Sequence, residues 1–207
     1  MLKEAFPAGT LKVIYGPMHS GKSAELLRLL DRVRFTSKQV KVFQPRIDTR
    51  SKGVSSKFIP ERIYETLLID HPLDIFKFDL NCHIIAFDEA QFFSESLFDV
   101  VKKLLTQNYH VIVCGLNKNF RAEGFNDMPE IIKAADEKVS LKAICEVTDC
   151  DYEATLTQRL INNKPAKYDS PTVLIEGQNI SERYEARCEK CYQMDYPSNK
   201  NIPKLII

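Results

Sequence analysis

Up to about residue 145, apolar positions fall in short dense runs separated by stretches with helical spacing. The run "TLKVIYG" (10–16) predicts a buried strand. "KSAELLRLLDRVRF" (22–35), whose leucines recur at three- and four-residue steps, predicts an amphipathic helix directly after it. "KQVKVFQP" (38–45) reads as a second strand stopped by proline, and the polar stretch "IDTRSKGVSSKF" (47–58) as a loop. "CHIIAFDEAQFF" (82–93) predicts an apolar strand ending in two acids, followed by a helix over "SLFDVVKKLLTQ" (96–107). "HVIVCGL" (110–116) predicts another buried strand, "PEIIKAADEK" (129–138) a short helix and "VSLKAI" (139–144) a last strand. Uniformly apolar strands alternating with helices imply an α/β fold with a mostly parallel sheet covered on both faces. The alternation stops near residue 145. Beyond it come cysteine pairs, prolines, one β-like run, "TVLI" (172–175), and an extended tail, "DYPSNKNIPKLII".

The expected organisation is therefore an α/β domain over 1–144 and a small appendage over 145–207. Composition changes this picture little. Hydrophobic residues are 44% and charged residues 28%, ordinary for a globular chain. The net charge of +1 provides no global field for a nucleic acid or a membrane surface. No stretch approaches the roughly 18–20 apolar residues of a membrane span, and no export signal is visible, so a cytoplasmic protein is expected.

Cysteine placement does add chemistry. Cys82 and Cys114 sit in apolar runs, as small buried hydrophobes do. Cys145 and Cys150, with four residues between them, and Cys188 and Cys191, with two, form two close pairs. In a reducing compartment such pairs point to one tetrahedral Zn²⁺. Four thiolates leave no open coordination position, which makes the expected role structural.

The stretch "GPMHSGKS", Gly16–Ser23, matches G-x-x-x-x-G-K-[ST] between a strand and a helix, the context in which that motif cradles phosphates. Backbone N–H groups and the helix N-terminus would surround the phosphate oxygens. Lys22 would reach the β- and γ-phosphates, and the Ser23 hydroxyl would ligate Mg²⁺. Asp88, at the end of a buried strand, suits the acid that holds Mg²⁺ in such proteins. Glu89 beside it is placed to accept a proton, from water in a hydrolase or from a substrate hydroxyl in a kinase. "GLNKNF" (115–120) resembles a guanine-reading N-K-x-D, but its fourth position is Phe120.

With "GPMHSGKSAELL", "FDEAQFF", "GLNKNF" and "YEARCEKCY" in this order, and "IDTR" at 47–50, the chain from about Gly9 to Tyr192 closely resembles the tetrameric type II thymidine kinases. The resemblance implies a P-loop NTPase-like sheet flanked by helices, with a small zinc-binding lasso subdomain. It implies transfer of a phosphoryl group from ATP, with Mg²⁺, to the 5′-hydroxyl of thymidine and of deoxyuridine. Glu89 is then the general base. The implied ATP-binding set is Gly16, Pro17, Met18, His19, Ser20, Gly21, Lys22, Ser23, Asp88 and Gln91, with Ser23 and Asp88 on magnesium.

Phe92, Phe120 and Phe125 match the positions that enclose the thymine ring, and Met18, Leu116, Thr157 and Tyr184 those around its methyl group. Without the resemblance, each aromatic reads as core packing. A lasso loop between about Asn162 and Tyr184, braced by the zinc, would hold the base by its backbone. The family also implies a homotetramer and feedback inhibition by dTTP. His19 departs from it, standing where Phe or Ala is usual, as do the wide first cysteine gap and Lys57 in place of Arg. A different class, a P-loop ATPase acting on nucleic acid through a zinc knuckle, needs a basic face that the balanced charge does not suggest.

Overall fold

The structure, a computed structural model, describes residues 4–46, 53–56, 59–93, 96–173 and 181–197. The chain divides into two compact units. The first contains residues 1–15, 21–117 and 124–141, and the second contains 16–20, 118–123 and 142–207.

The strands of the first unit are β1 (Leu11–Tyr15), β2 (Val40–Pro45), β3 (Val54–Ser56), β4 (Ile59–Tyr64), β5 (Leu67–Ile69), β6 (Ile84–Phe87), β7 (His110–Gly115) and β8 (Glu137–Ser140). Six of them build one sheet in the order β5-β2-β6-β7-β1-β8, with every pairing parallel. Parallel strands share one C-terminal edge, so β1 and β6 end on the same edge with β7 between them. The helices α1 (Lys22–Val33), α2 (Leu97–Thr106) and α3 (Met128–Ala134) supply the crossovers.

The helices bury the stripes their spacing predicts: Leu26, Leu27, Leu29, Leu30 and Val33 on α1, and Leu97, Val100, Val101 and Leu104 on α2. Two apolar layers result. One gathers α1 with Ile14, Val42, Ala86 and Ile112, and the other gathers α2 and α3 with Val13, Phe43, Phe87 and Val113. Neighbouring residues on each strand therefore point to opposite layers, the reason these strands read as uniformly apolar.

Two expectations need correction here. The loop over 47–58 gives way at Val54–Ser56, which pairs antiparallel with Ile59–Tyr64. Val54 is wholly buried in the α1 layer, but a single apolar residue sets no period. Gly53, at φ 118°, lies so near β4 that a Cβ there would meet the Tyr64 carbonyl oxygen at 2.5 Å. The "IDTR" stretch and Lys57 lie outside the described residues. The helix over 129–138 stops at Ala134, because Asp136 ties to β1: its carboxylate accepts the Leu11 N–H at 2.8 Å and its own N–H donates to the Leu11 carbonyl at 3.0 Å. That tie draws Glu137–Ser140 into the sheet.

In the second unit, β9 (Ala143–Ile144) pairs with β10 (Glu153–Ala154), and β11 (Leu156–Ile161) lies between β12 (Lys164–Pro165) and β13 (Glu182–Arg187), all antiparallel. The stretch 139–144 is thus two strands in two sheets rather than one. Thr172 and Val173 of the β-like run form a bend, and the rest of it lies outside the described residues. Strand β11 is buried almost throughout, including Thr157, Gln158 and Arg159. Those polar residues break any apolar period, and they meet groups remote in sequence: the Thr157 hydroxyl accepts from the Met18 N–H, Gln158 Oε1 accepts from the Gln193 N–H, and Arg159 lies against Pro171 and Glu182. Among the described residues no helix is long and apolar enough to cross a membrane.

Candidate active site

At the end of β6 the first unit places Asp88 and Glu89, and a 3-10 turn over Ala90–Phe92 follows. Asp88 is buried. It accepts a hydrogen bond from the Gln44 amide Nε2 on β2 at 3.0 Å, and the Gln44 Oε1 in turn accepts from the Thr66 hydroxyl at 2.8 Å. Burial, then the charge of Glu89, pushes the Asp88 carboxyl up to about 7, against hydrogen bonds from Gln44, the Glu89 backbone and the Cys114 thiol. Cys114 is therefore more than a buried hydrophobe, since its S–H reaches Asp88. Its thiol is pushed well above the ordinary range by burial first and Asp88 next, while the Lys22 ammonium pulls the other way. The Lys22 ammonium at the start of α1 and the Asp88 carboxylate after β6 thus both act on Cys114 of β7. Cys82 is only half-buried and precedes its strand.

Glu89 has a left-handed backbone, φ 50° and ψ 39°. Its Oε2 accepts from the amide Nε2 of Gln91 at 2.6 Å. Gln91 is wholly buried, and its Oε1 accepts the Leu116 N–H at 2.9 Å. Asn126 fixes the same turn by donating to the Gln91 and Phe93 carbonyls at 2.8 and 3.1 Å. Phe92 and Phe125 meet edge to face at 6.1 Å, with Leu116 buried in the same unit.

The phosphate-motif stretch runs through both units, with Gly16–Ser20 in the second and Gly21–Ser23 in the first. Its backbone turns at His19, φ 60°, and at Gly21, φ 84°, the residue immediately before α1. Helix α1 opens with Lys22 and Ser23, and N–H groups of a first turn have no partner within the helix. Within the second unit, the Met18 N–H donates to the Thr157 hydroxyl at 3.1 Å, the Ser20 hydroxyl donates to the Pro17 carbonyl, and His19 Nδ1 lies 2.6 Å from the Glu146 carboxylate.

Phe120 is buried between two guanidinium groups, Arg159 at 4.8 Å and Arg121 at 5.2 Å from its ring. Arg159 also donates to the Pro171 carbonyl at 2.5 Å and has the Glu182 carboxylate 3.0 Å from its Nε, while Arg121 donates to the Ser170 carbonyl. Tyr184 faces Arg159 across β11–β13 and is half-buried. Residues 174–180 of the expected lasso lie outside the described residues.

Cys145, Cys150, Cys188 and Cys191 converge, their sulfurs all within 4.8 Å of one another. Cys150 is 3.8 Å from Cys188 and 3.6 Å from Cys191, too far for disulfides. A tetrahedron with metal–sulfur bonds of about 2.3 Å has edges of about 3.8 Å, so the cluster fits zinc. The wide first gap is accommodated because Val147 and Cys150 close a turn, with the Cys150 N–H donating to the Val147 carbonyl. Burial alone would raise Cys145, but backbone N–H groups of Cys188 and Val147 draw it down to about 7, while hydrogen bonds with Cys150 and Cys188 push Cys191 up to about 12.

Several residues here carry no sequence signal: Gln44, Thr66, Asn126, Glu146 and Arg159 belong to no motif, and their partners lie far along the chain. Residues 9–192, nearly the whole chain and parts of both units, match the family described as thymidine kinase. That match shows that the chain belongs to the thymidine kinase family.

Proposed function

We propose that this kinase transfers the γ-phosphoryl group of ATP to the 5′-hydroxyl of thymidine, and also of deoxyuridine. The observation that carries the reading is the placement of Glu89. Its carboxylate sits at the end of β6 beside Asp88, on the sheet edge where β1 leads to the motif and α1 begins. Glu89 takes the hydroxyl proton as the oxygen bonds to phosphorus and the bond to the leaving ADP oxygen breaks. Gly16, Pro17, Met18, His19, Ser20, Gly21, Lys22 and Ser23, with Asp88, bind the nucleotide, and Gln91, whose amide is taken up by Glu89 and the Leu116 N–H, serves that set through Glu89 rather than by touching ATP. Ser23 and Asp88 would hold Mg²⁺, which supplies charge neutralisation at the phosphates.

Base recognition falls to Phe92, Leu116 and Phe125 in the first unit and to Met18, Phe120, Thr157 and Tyr184 in the second. Zinc on the four cysteines is structural, and the cysteines, none of them in a disulfide, suit a cytoplasmic setting. In this reading, residues 1–144 form the nucleotide-binding domain and 145–207 the zinc-stapled lasso subdomain. The protein works as a homotetramer inhibited by dTTP.

The test offers ATP and Mg²⁺ with each of the deoxynucleosides and separates the products. Monophosphates of thymidine and deoxyuridine are expected, with dTTP suppressing them. ATP hydrolysis stimulated by DNA, with no nucleoside monophosphate, would replace this reading with a nucleic-acid ATPase.

A further inference from the structure

We infer that Gln91 is the positioning residue for Glu89, a buried amide that aims the carboxylate at the substrate hydroxyl; the inference rests on the reading of Glu89 as the base.

An amide side chain can present either end, and its orientation follows from an unambiguous partner. For Gln91 that partner is the Leu116 N–H, which can only donate, so the carbonyl Oε1 must face it. The amide NH₂ is then directed at Glu89, where it donates to Oε2 at 2.6 Å. A donor here fixes the direction of the Glu89 Oε2. Gln91 itself has no freedom to turn away. It is 0% exposed, its carbonyl is held by Asn126, and it lies on a short 3-10 turn.

The end of β7 is shaped to receive this amide. Gly115 has no side chain where Gln91 passes, and a Cβ there would come within 2.6 Å of Gln91 Oε1 and 3.2 Å of the Ala90 and Gln91 backbone nitrogens. Its glycine is required by close approach rather than by backbone angle. The assembly therefore connects β7 through Gly115 and Leu116 to Gln91, and through Gln91 to the Glu89 carboxylate. Glu89 is tethered at both ends, by its left-handed backbone and by this amide.

A residue that only fills space would affect folding or binding. A residue that aims the base affects the chemical step. The test measures kcat and the KM values for ATP and thymidine, with thermal melting, for the native protein, Gln91→Leu and Gln91→Glu. Gln91→Glu keeps an acceptor for the Leu116 N–H but removes the amide donor that faces Glu89.

Both variants are expected to keep each KM within about threefold while kcat falls on the order of a hundredfold, as an ångström-scale misplacement does. Gly115→Ala is expected to show the same split, because it displaces the same amide. A kcat within about threefold of native in a folded Gln91 variant overturns the inference. So does a loss shared in proportion by KM for ATP, or loss of the fold in both Gln91 variants. If the native protein phosphorylates no nucleoside, the reading of Glu89 fails and this inference with it. If Glu89→Gln is crippled while Gln91→Glu is not, the inference alone fails.

Discussion

Glu89 carries a backbone conformation that costs a residue with a Cβ about 1–2 kcal/mol. Such strain persists where the surroundings over-determine it, and here Gln91 fixes the side chain while the Phe92 N–H caps the Glu89 carbonyl at 3.0 Å. Both acids follow one pattern: each is met by the amide of a buried glutamine whose carbonyl is already engaged, Gln44 by Thr66 and Gln91 by Leu116. Gln44→Leu would leave Asp88 and the Thr66 hydroxyl without these partners. It is expected to lower stability by about 1–3 kcal/mol, read as a shift of the urea midpoint; an unchanged midpoint would contradict the role given to Gln44. The two acids were legible in the sequence because an apolar run ends on them after a phosphate motif. Gln91 entered only through the family resemblance and Gln44 not at all, since a single polar residue looks the same in the sequence whether it faces water or a carboxylate.

Individual elements show where the pattern sufficed. The strands that became β1, β2, β6 and β7 and the stripes of α1 and α2 were plain, because burial on both faces of a parallel sheet demands continuous apolar runs. Antiparallel β11 and β13 escaped notice, since Thr157, Gln158 and Arg159 interrupt the apolar run and meet Met18, Gln193 and Glu182, which lie far along the chain. The β11–β12 hairpin turns on Asn162 and Asn163, both at positive φ, in a two-residue loop. Replacing either with alanine is expected to cost about 1–2 kcal/mol in urea unfolding.

At the start of β7, His110 is buried, with Nδ1 3.1 Å from the Pro7 carbonyl and 2.8 Å from the Thr10 hydroxyl. Burial first, and then Lys12 and Lys38, lowers its pKa, against the Pro7 bond and Glu137. The unfolded chain therefore binds the proton more readily, and stability on this account is full above about pH 6.5 and declines as pH falls below it. Unfolding at pH 7.5 and 5.5 is expected to show a smaller acid loss in His110→Gln than in the native protein. An equal loss would remove His110 from the acid response.

For the molecule as a whole, the cysteine cluster is the test of what holds the second unit together. Its apolar cluster is small, made of Ala143, Ala154 and Ala186 around the cysteines, with Val147 alongside. With so little apolar packing around the cysteines, a metal held there would add substantially to local stability. Metal analysis is expected to find about one zinc per chain. A strong chelator should lower the melting temperature of the native protein and leave Cys150→Ser, already short of a ligand, nearly unaffected. A zinc-free native protein that melts unchanged with chelator would contradict this. The cysteine spacing announced the cluster from the sequence. What it could not announce is how the arginines arrange themselves around Phe120, which depends on side-chain geometry rather than spacing.

The most direct measurement follows label from [γ-³²P]ATP into thymidine, comparing the native protein with Glu89→Gln at equal, folded concentration. Labelled thymidine 5′-monophosphate from the native protein, and a rate lower by orders of magnitude from the variant with an unchanged melting temperature, is the result expected. Equal rates from the two proteins would contradict the assignment of Glu89 as the proton acceptor.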